Sequence, residues 1–346
     1  MYNITADEYT TRRKELWIQG YSYLFYVAKV LVMTISIGLN VTVLVTIKLS
    51  KRLRTIPCLY MVSLAVSDLT FSCNGIFHST IVIIVACTHD WPSYQMANTF
   101  GTSVTFVFFF SIFSTYGNLI LISLERWVYI SQPFWYQRVI SHRLAVFSIA
   151  CIWIASTVVN VDILITGDDF PVINKEMVKY GIIFPALHFI WCVIICSIYI
   201  HIAVITLRHI KAMKKTAYVC IAANTDNEDL KLMVLKKKMA HVRMLLFVFG
   251  SFFLLLTPTF CCNIYATITK KINGDLMGFA KLLMCAHSCS NFFVYAFQDK
   301  EFKRALGKLF GKYGFGRDDT KVYPKQVYSS TVGFDTGHSK TYPSFD

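Results

Sequence analysis

The sequence predicts an all-α membrane protein, a bundle of seven transmembrane helices followed by an amphipathic eighth helix. Three observations carry that prediction. Of the 346 residues, 55% are hydrophobic and only 16% are charged. A soluble domain carries roughly 25% charged residues, and no single soluble core takes up this much apolar side chain without large exposed patches. The apolar residues are gathered into runs of about 20 or more, the length that crosses roughly 30 Å of hydrocarbon. Within those runs they occur nearly all round, with no two-residue alternation. That favours helices, whose backbone polar groups are satisfied internally, over a spanning β-barrel.

The seven runs lie near Tyr23–Ile47, Pro57–Cys87, Ala97–Tyr129, Leu144–Ile165, Tyr180–Leu207, Met239–Ile268 and Leu276–Phe297. Lysines and arginines in the connections set their orientation. One side holds Lys48, Lys51, Arg52 and Arg54, then Arg138 and Arg143, then the Arg208–Arg243 region with Lys236-Lys237-Lys238, then Lys300, Lys303, Arg304, Lys308 and Lys312. The other side holds His89-Asp90, Asp168-Asp169 with Lys175 and Lys179, and Lys270-Lys271 with Asp275. The first side is expected in the cytosol, which places the amino terminus outside and the carboxyl terminus inside a multi-pass plasma-membrane protein.

Three regions follow from this reading. Residues 1–22 form an extracellular tail, 23–311 the bundle with its eighth helix, and 312–346 a polar cytoplasmic tail whose composition predicts disorder. The segment before Tyr21 lacks the apolar centre of a cleavable signal peptide, so the first span is expected to act as the insertion signal. Asn3-Ile4-Thr5 is a glycosylation sequon on the external side. The net charge of +14 is a topology signal and an attraction to anionic lipid, not a mark of nucleic-acid binding. The eleven cysteines fall mostly inside spans, where cysteine behaves as a small apolar residue. They show no metal-ligand spacing.

Polar residues inside the spans need a reason, because a charge at mid-bilayer costs about 2.5–3.5 kcal/mol even on lenient scales. Asp68 lies well inside the second run in Leu64-Ala65-Val66-Ser67-Asp68. Asn40 and Asn291 fall at comparable depths in the first and seventh. Asparagines alone read as glue between helices; glue rarely needs a full charge. At the end of the third run, Glu125 and Arg126 stand side by side in LISLERWVYI.

Taken together these residues resemble the rhodopsin-like family of G-protein-coupled receptors. Asn40 matches the first-helix asparagine and Leu64-Ala-Val-Ser-Asp68 the second-helix L-A-x-x-D. Glu125-Arg126-Trp127 is similar to the third-helix D/E-R-Y motif, and Trp153 to the fourth-helix tryptophan. Pro185 and Pro258, with Phe252, resemble the fifth- and sixth-helix positions. Asn291-Phe292-Phe293-Val294-Tyr295 resembles N-P-x-x-Y with its proline replaced. Asp299-Lys-Glu-Phe302-Lys-Arg-Ala-Leu306 is similar to the eighth helix, with Phe302, Leu306, Leu309 and Phe310 expected on lipid. Pro133-Phe134, seven residues past Arg126, fits the second cytoplasmic loop.

The resemblance implies a receptor that passes an extracellular ligand signal to a heterotrimeric G protein by outward movement of the sixth helix. Glu125 would restrain Arg126 at rest, and Arg126 would receive the G protein with Tyr295 moving in behind it. Lys238 stands where many members have an acid that pairs with that arginine. Asp68, Asn40, Thr115, Ser288 and Asn291 would form a polar pocket of the kind that holds a sodium ion, with His287 nearby. No other cofactor and no metal is expected. Phosphorylation of the serine- and threonine-rich tail would recruit arrestin.

The departures narrow the ligand. Gly101 stands where the family usually has the third-helix cysteine, and Gly167–Lys179 contains none, so the common disulfide is not expected. Phe108 stands where amine receptors place an aspartate, Leu256 where the switch tryptophan is common, and Cys285 where an opsin has its lysine. Amine and retinal ligands are disfavoured. His78, Phe108, Phe109, His188, Leu256 and Lys281 are the candidate ligand contacts, in a mouth aromatic enough to take a lipid, a small apolar molecule or a short peptide. An enzyme is not expected, since Asp68, Asp162 and the histidines form no paired catalytic motif. A proton- or ion-coupled transporter is the alternative, because lone intramembrane acids relay protons. Repeated halves or broken helices would mark one, and neither is visible.

Overall fold

The computed structural model describes residues 23–88, 93–166, 179–220, 227–271, 273–298 and 300–312. Within them the seven spans are helices at Tyr23–Leu49, Ile56–Thr88, Tyr94–Ser131, His142–Thr166, Phe184–Cys220, Asn227–Thr269 and Gly274–Gln298. A short helix, Pro133–Val139, follows the third span, and a terminal helix, Lys300–Lys312, follows the seventh. Asn3, the Gly167–Val178 stretch and the tail after Lys312 lie outside the described residues.

Six of these helices contain an 18-residue window apolar enough to cross a membrane. The seventh reads less apolar because Asp275, Lys281, His287, Ser288, Ser290 and Asn291 lie within it. It packs between the first and sixth spans, which screen its polar face from lipid. Lipid is met instead by side chains such as Leu31, Ile154, Val158, Val193, Ile200 and Leu254, all exposed on the outside of the bundle. The third span is the most buried and touches the second, fourth, fifth and sixth. Any motif on it is therefore read by most of the bundle.

Local chemistry explains the ends. Ser93 caps the third span by accepting from the Met96 amide at 3.4 Å. Pro133 opens the loop helix, where its missing N–H is not needed. Lys270 takes a left-handed φ of 57°, and its amide donates to the Ala266 carbonyl at 3.0 Å, closing the sixth span. Pro185 sits in the first turn of the fifth helix, immediately after a π turn over Lys179–Ile183, whereas Pro258 lies inside the sixth. Only Pro258 therefore removes a mid-helix hydrogen bond.

A missing side chain allows one close crossing. A Cβ built on Gly117 of the third span would meet Ile152 Cγ2 and lie 2.8 Å from its Cδ1. The fourth span can approach this closely only because the side chain is absent. Gly117→Ala should cost about 1–3 kcal/mol as an overpacking change. Thermal unfolding of purified protein is the check, and Ile152→Ala in the same chain should recover much of the loss. Next to Ile152, the Trp153 Nε1–H donates to Ser63 Oγ at 3.0 Å and pins the fourth span to the second.

One expectation is corrected. Phe302 of the terminal helix does not lie on lipid. It is 1% exposed and packs against Tyr295 and Phe292, with ring centroids 6.1 and 6.3 Å away. The helix is strongly amphipathic, but its apolar face is shared. Phe302 docks into the bundle, while Phe310 stays exposed.

Candidate functional site

The polar residues singled out in the sequence gather in three places, stacked along the bundle. At one end, Glu125 and Arg126 are both buried, and Arg126 Nε lies 3.1 Å from Glu125 Oε2. Adjacent residues on a helix point about 100° apart, so this contact uses the length of both side chains. The other carboxylate oxygen accepts from the Tyr136 hydroxyl at 2.6 Å. Burial first, and then the bond to Glu125, push the Tyr136 phenol above its ordinary range, which keeps it a donor. The Arg126 guanidinium also lies 5.9 Å from the centre of the Tyr129 ring, and Tyr129 in turn packs edge-on against Tyr136. Trp127 faces away, donating from Nε1 to His201 Nδ1 of the fifth span at 2.7 Å.

Pro133 and Phe134 start the loop helix beside this cluster. Phe134 is 89% exposed, an unusual place for a phenylalanine. Tyr295 of the seventh span is 2% exposed and buried behind the same end. Lys238 falls on the sixth helix, but its side chain is not among those described.

The middle level holds Asp68, fully buried. Asn291 Nδ2 donates to its Oδ2 at 2.7 Å. Asn40 gives its amide protons not to Asp68 but to the Ser288 carbonyl at 2.9 Å and to the Ser36 carbonyl at 3.0 Å. Ser72 donates to Ser36 Oγ at 2.8 Å, tying the first span to the second. Thr115 pairs with the neighbouring Ser67 hydroxyl at 3.1 Å, and the Ser288 hydroxyl turns back onto Cys285. The remaining carboxylate oxygen, Asp68 Oδ1, faces His287 Nε2 at 3.8 Å, and neither atom has a hydrogen-bond partner. His287 Nδ1 must carry a proton, because it meets the Met284 carbonyl, an acceptor only. Nε2 and Oδ1 thus confront each other as two bare acceptors.

Above this level lies an aromatic layer. His188 is buried and joins three spans. Thr257 gives its hydroxyl proton to the Phe253 carbonyl, so His188 Nε2 donates to Thr257 at 3.1 Å. Nδ1 then accepts from the Tyr116 hydroxyl. Tyr116 stands edge-on to Phe252 at 4.9 Å, and Phe252 edge-on to His287 at 5.4 Å. Leu256 is wholly buried beside them. Phe108 and Phe109 meet edge to face at 5.0 Å, Phe108 lies 5.6 Å from Phe71, and Phe109 lies 4.1 Å from Phe184. Of the candidate ligand contacts, His188, Leu256 and Phe109 are core residues, while His78 is half-buried and Lys281 exposed.

Sequence reasoning passed over Tyr136, Tyr116 and Lys29. Tyr136 and Tyr116 carry no periodic signal; only the fold brings them to Glu125 and His188. Lys29 was legible. It lies eleven residues before Asn40, three helical turns along the same face.

Three comparisons bear on this geometry. The family model described as 7 transmembrane receptor (rhodopsin family) matches residues 39–295. The chain is 26% identical over 315 residues to dopamine receptor 1 of Drosophila melanogaster, covering 80% of this chain and 60% of that one. It is also 26% identical over 347 residues to the follicle-stimulating hormone receptor of Cairina moschata, covering 93% of this chain but 45% of the relative. The chain thus spans roughly half the length of these relatives. Squid rhodopsin in its crystal structure superposes with a TM-score of 0.68 at 18% identity, covering 86% of this chain and 88% of that one.

Proposed function

The chain belongs to the rhodopsin family of seven-transmembrane receptors, and from that premise we propose that it carries an extracellular ligand signal to a heterotrimeric G protein. The observation that carries this reading is the buried Glu125–Arg126 pair with its Tyr136 clasp. A guanidinium held by one carboxylate, next to a loop helix that presents a bare phenylalanine, is poised to exchange its partner when the sixth span swings outward. Its end of the bundle faces the cytosol of a plasma-membrane protein in this reading. The amino-terminal tail lies outside, and the serine- and threonine-rich tail offers arrestin a phosphorylated site.

Likeness to a dopamine receptor does not bring an amine ligand with it. The ring of Phe108, wedged between Phe71 and Phe109, offers no charge to an ammonium group. The pocket around Asp68 also fits a proton better than a sodium ion. Hard cations take oxygen ligands, whereas the free carboxylate oxygen faces an imidazole nitrogen. One proton shared between His287 and Asp68 satisfies both bare acceptors.

Purified receptor in lipid nanodiscs, mixed with heterotrimeric G proteins, tests the reading by nucleotide exchange. Solute flux in liposomes without any exchange would instead establish a transporter. Within this assay, Phe134→Ala should lower exchange about tenfold, the cost of about 1.4 kcal/mol for a modest interface anchor, at unchanged melting temperature. Unchanged exchange would remove Phe134 from the docking surface.

A further inference from the structure

We propose that His188 is a latch on the sixth span: its hydrogen bond to Thr257 holds the closed bundle, and the outward swing breaks it. This rests on the receptor reading above and deepens it with a positioning residue that acts through the sixth span, well away from the Glu125–Arg126 pair.

The sixth span is divided by Pro258, which has no N–H to give the preceding turn and so lets the helix bend there. Beyond the proline the span is fastened to two neighbours. Thr259 donates to the Ala280 carbonyl of the seventh span at 2.9 Å. Thr267 packs so closely on Gly181, in the π turn that leads into the fifth span, that a Cβ there would overlap its hydroxyl oxygen. On the other side of the proline, Ser251 donates to Ser290 of the seventh span at 3.2 Å. Thr257, next to Pro258, meets His188 of the fifth span at 3.1 Å. This last bond opposes departure from the third span, because His188 is itself tied there.

Among the described residues, side-chain hydrogen bonds stitch the third span to the fifth. Tyr116 bonds to His188, Ser123 to Tyr199 at 3.1 Å, and Trp127 to His201 at 2.7 Å. These two spans make one body, against which the sixth moves. His188 is 1% exposed and belongs to both seams. Its Nδ1 accepts from Tyr116, and its Nε2 donates to Thr257, whose own proton goes to the Phe253 carbonyl at 2.7 Å. The ring also stacks on Phe260 and Phe253 of the sixth span, with centroids 4.6 and 5.5 Å away. Stacked rings tolerate sliding, whereas a hydrogen bond weakens steeply as its angle falls. A rotation at Pro258 therefore gives up the Thr257 bond first. A histidine that merely satisfies itself in a core carries bonds of the same kind. This one differs because its two partners stand on opposite sides of the moving joint.

Full-length receptor in nanodiscs, without ligand, tests the latch by two measurements. Hydrogen–deuterium exchange over residues 246–257 reports opening of the sixth span and needs no G protein. Nucleotide exchange on added heterotrimer reports coupling. Thr257→Val keeps the shape and removes the acceptor, while His188→Phe keeps a stacking ring and removes both bonds. Each should raise deuterium uptake over 246–257, and ligand-free nucleotide exchange about fivefold, the population shift that one neutral hydrogen bond sets. Thr257→Ser keeps the hydroxyl and should behave as the parent in both, which separates the bond from the packing. The proposal is overturned if Thr257→Val and His188→Phe take up deuterium as the parent does, or if Thr257→Ser opens the span as far as Thr257→Val. Faster uptake with no nucleotide exchange from any of these proteins removes the receptor reading and leaves the latch. Nucleotide exchange with parent-like uptake in both variants removes the latch and leaves the receptor reading.

Discussion

Arg126→Ala is expected to cut ligand-stimulated nucleotide exchange about a hundredfold, the scale of truncating an interface hot spot at about 2.7 kcal/mol. The guanidinium is the only described cation in the buried cluster at that end, and its planar fork cannot be copied by a smaller donor. Arg126→Lys should therefore recover only part of the rate, since an ammonium keeps the charge but loses the fork. Removing Arg126 also leaves Glu125 buried without its cation, which destabilises. Tyr136 still donates to the carboxylate, and the loop helix can admit water, so the fold should survive at reduced stability. Glu125→Gln is the counterpart. It keeps an acceptor for Tyr136 and frees the arginine, and ligand-free exchange should rise several-fold, as about 1 kcal/mol of lost restraint implies for a two-state bundle. Exchange is compared at matched amounts of folded receptor. Parent-like exchange from Arg126→Ala would take the arginine out of coupling altogether.

The fold was legible because lipid imposes a simple rule. Backbone groups must be paired within each span, so runs of apolar residues such as Leu144–Ile165 become helices whatever their neighbours. The spans end within a few residues of the predicted bounds, apart from the fifth and sixth, whose polar extensions carry no hydropathy signal. The seventh is less apolar than the other six and is held by packing between the first and sixth. The site was legible in its parts but not in its joins. Asp68 and Asn291 could be matched by depth, yet depth alone could not tell that Asn40 would choose the Ser288 carbonyl over the carboxylate. Phe302 shows the same limit. An amphipathic pattern says which face is apolar, but not that one ring of it turns into the bundle against Tyr295.

The buried pair at mid-bundle gives the other large effect, and it separates a proton from a sodium ion. Asp68→Ala should lower stability by roughly 1–3 kcal/mol for each of two groups it strands, Asn291 Nδ2 and His287 Nε2. Asp68→Asn should be close to neutral. Its Oδ1 can accept from Asn291 while its Nδ2 donates to the bare imidazole nitrogen, so both stranded groups find partners in the space the carboxylate held. A shared proton requires no metal cation from the solution, and the melting temperature of the parent should not move when sodium chloride is replaced by choline chloride at constant pH. A bound sodium ion predicts the opposite pattern. The parent would then gain several degrees in sodium, and Asp68→Asn, with no charge to hold the cation, would lose that gain. His287→Ala sharpens the contrast. It removes the ring that lies 5.0 Å from Phe71 and 5.4 Å from Phe252 and leaves space beside Oδ1. A carboxylate stripped of its proton partner needs a cation, so this variant should acquire the sodium dependence that the parent lacks. Thermal unfolding in detergent, run in the two salts at equal ionic strength, reads all four proteins. A sodium-dependent parent would mean that oxygen ligands reach Asp68 past the imidazole and that the shared proton is wrong.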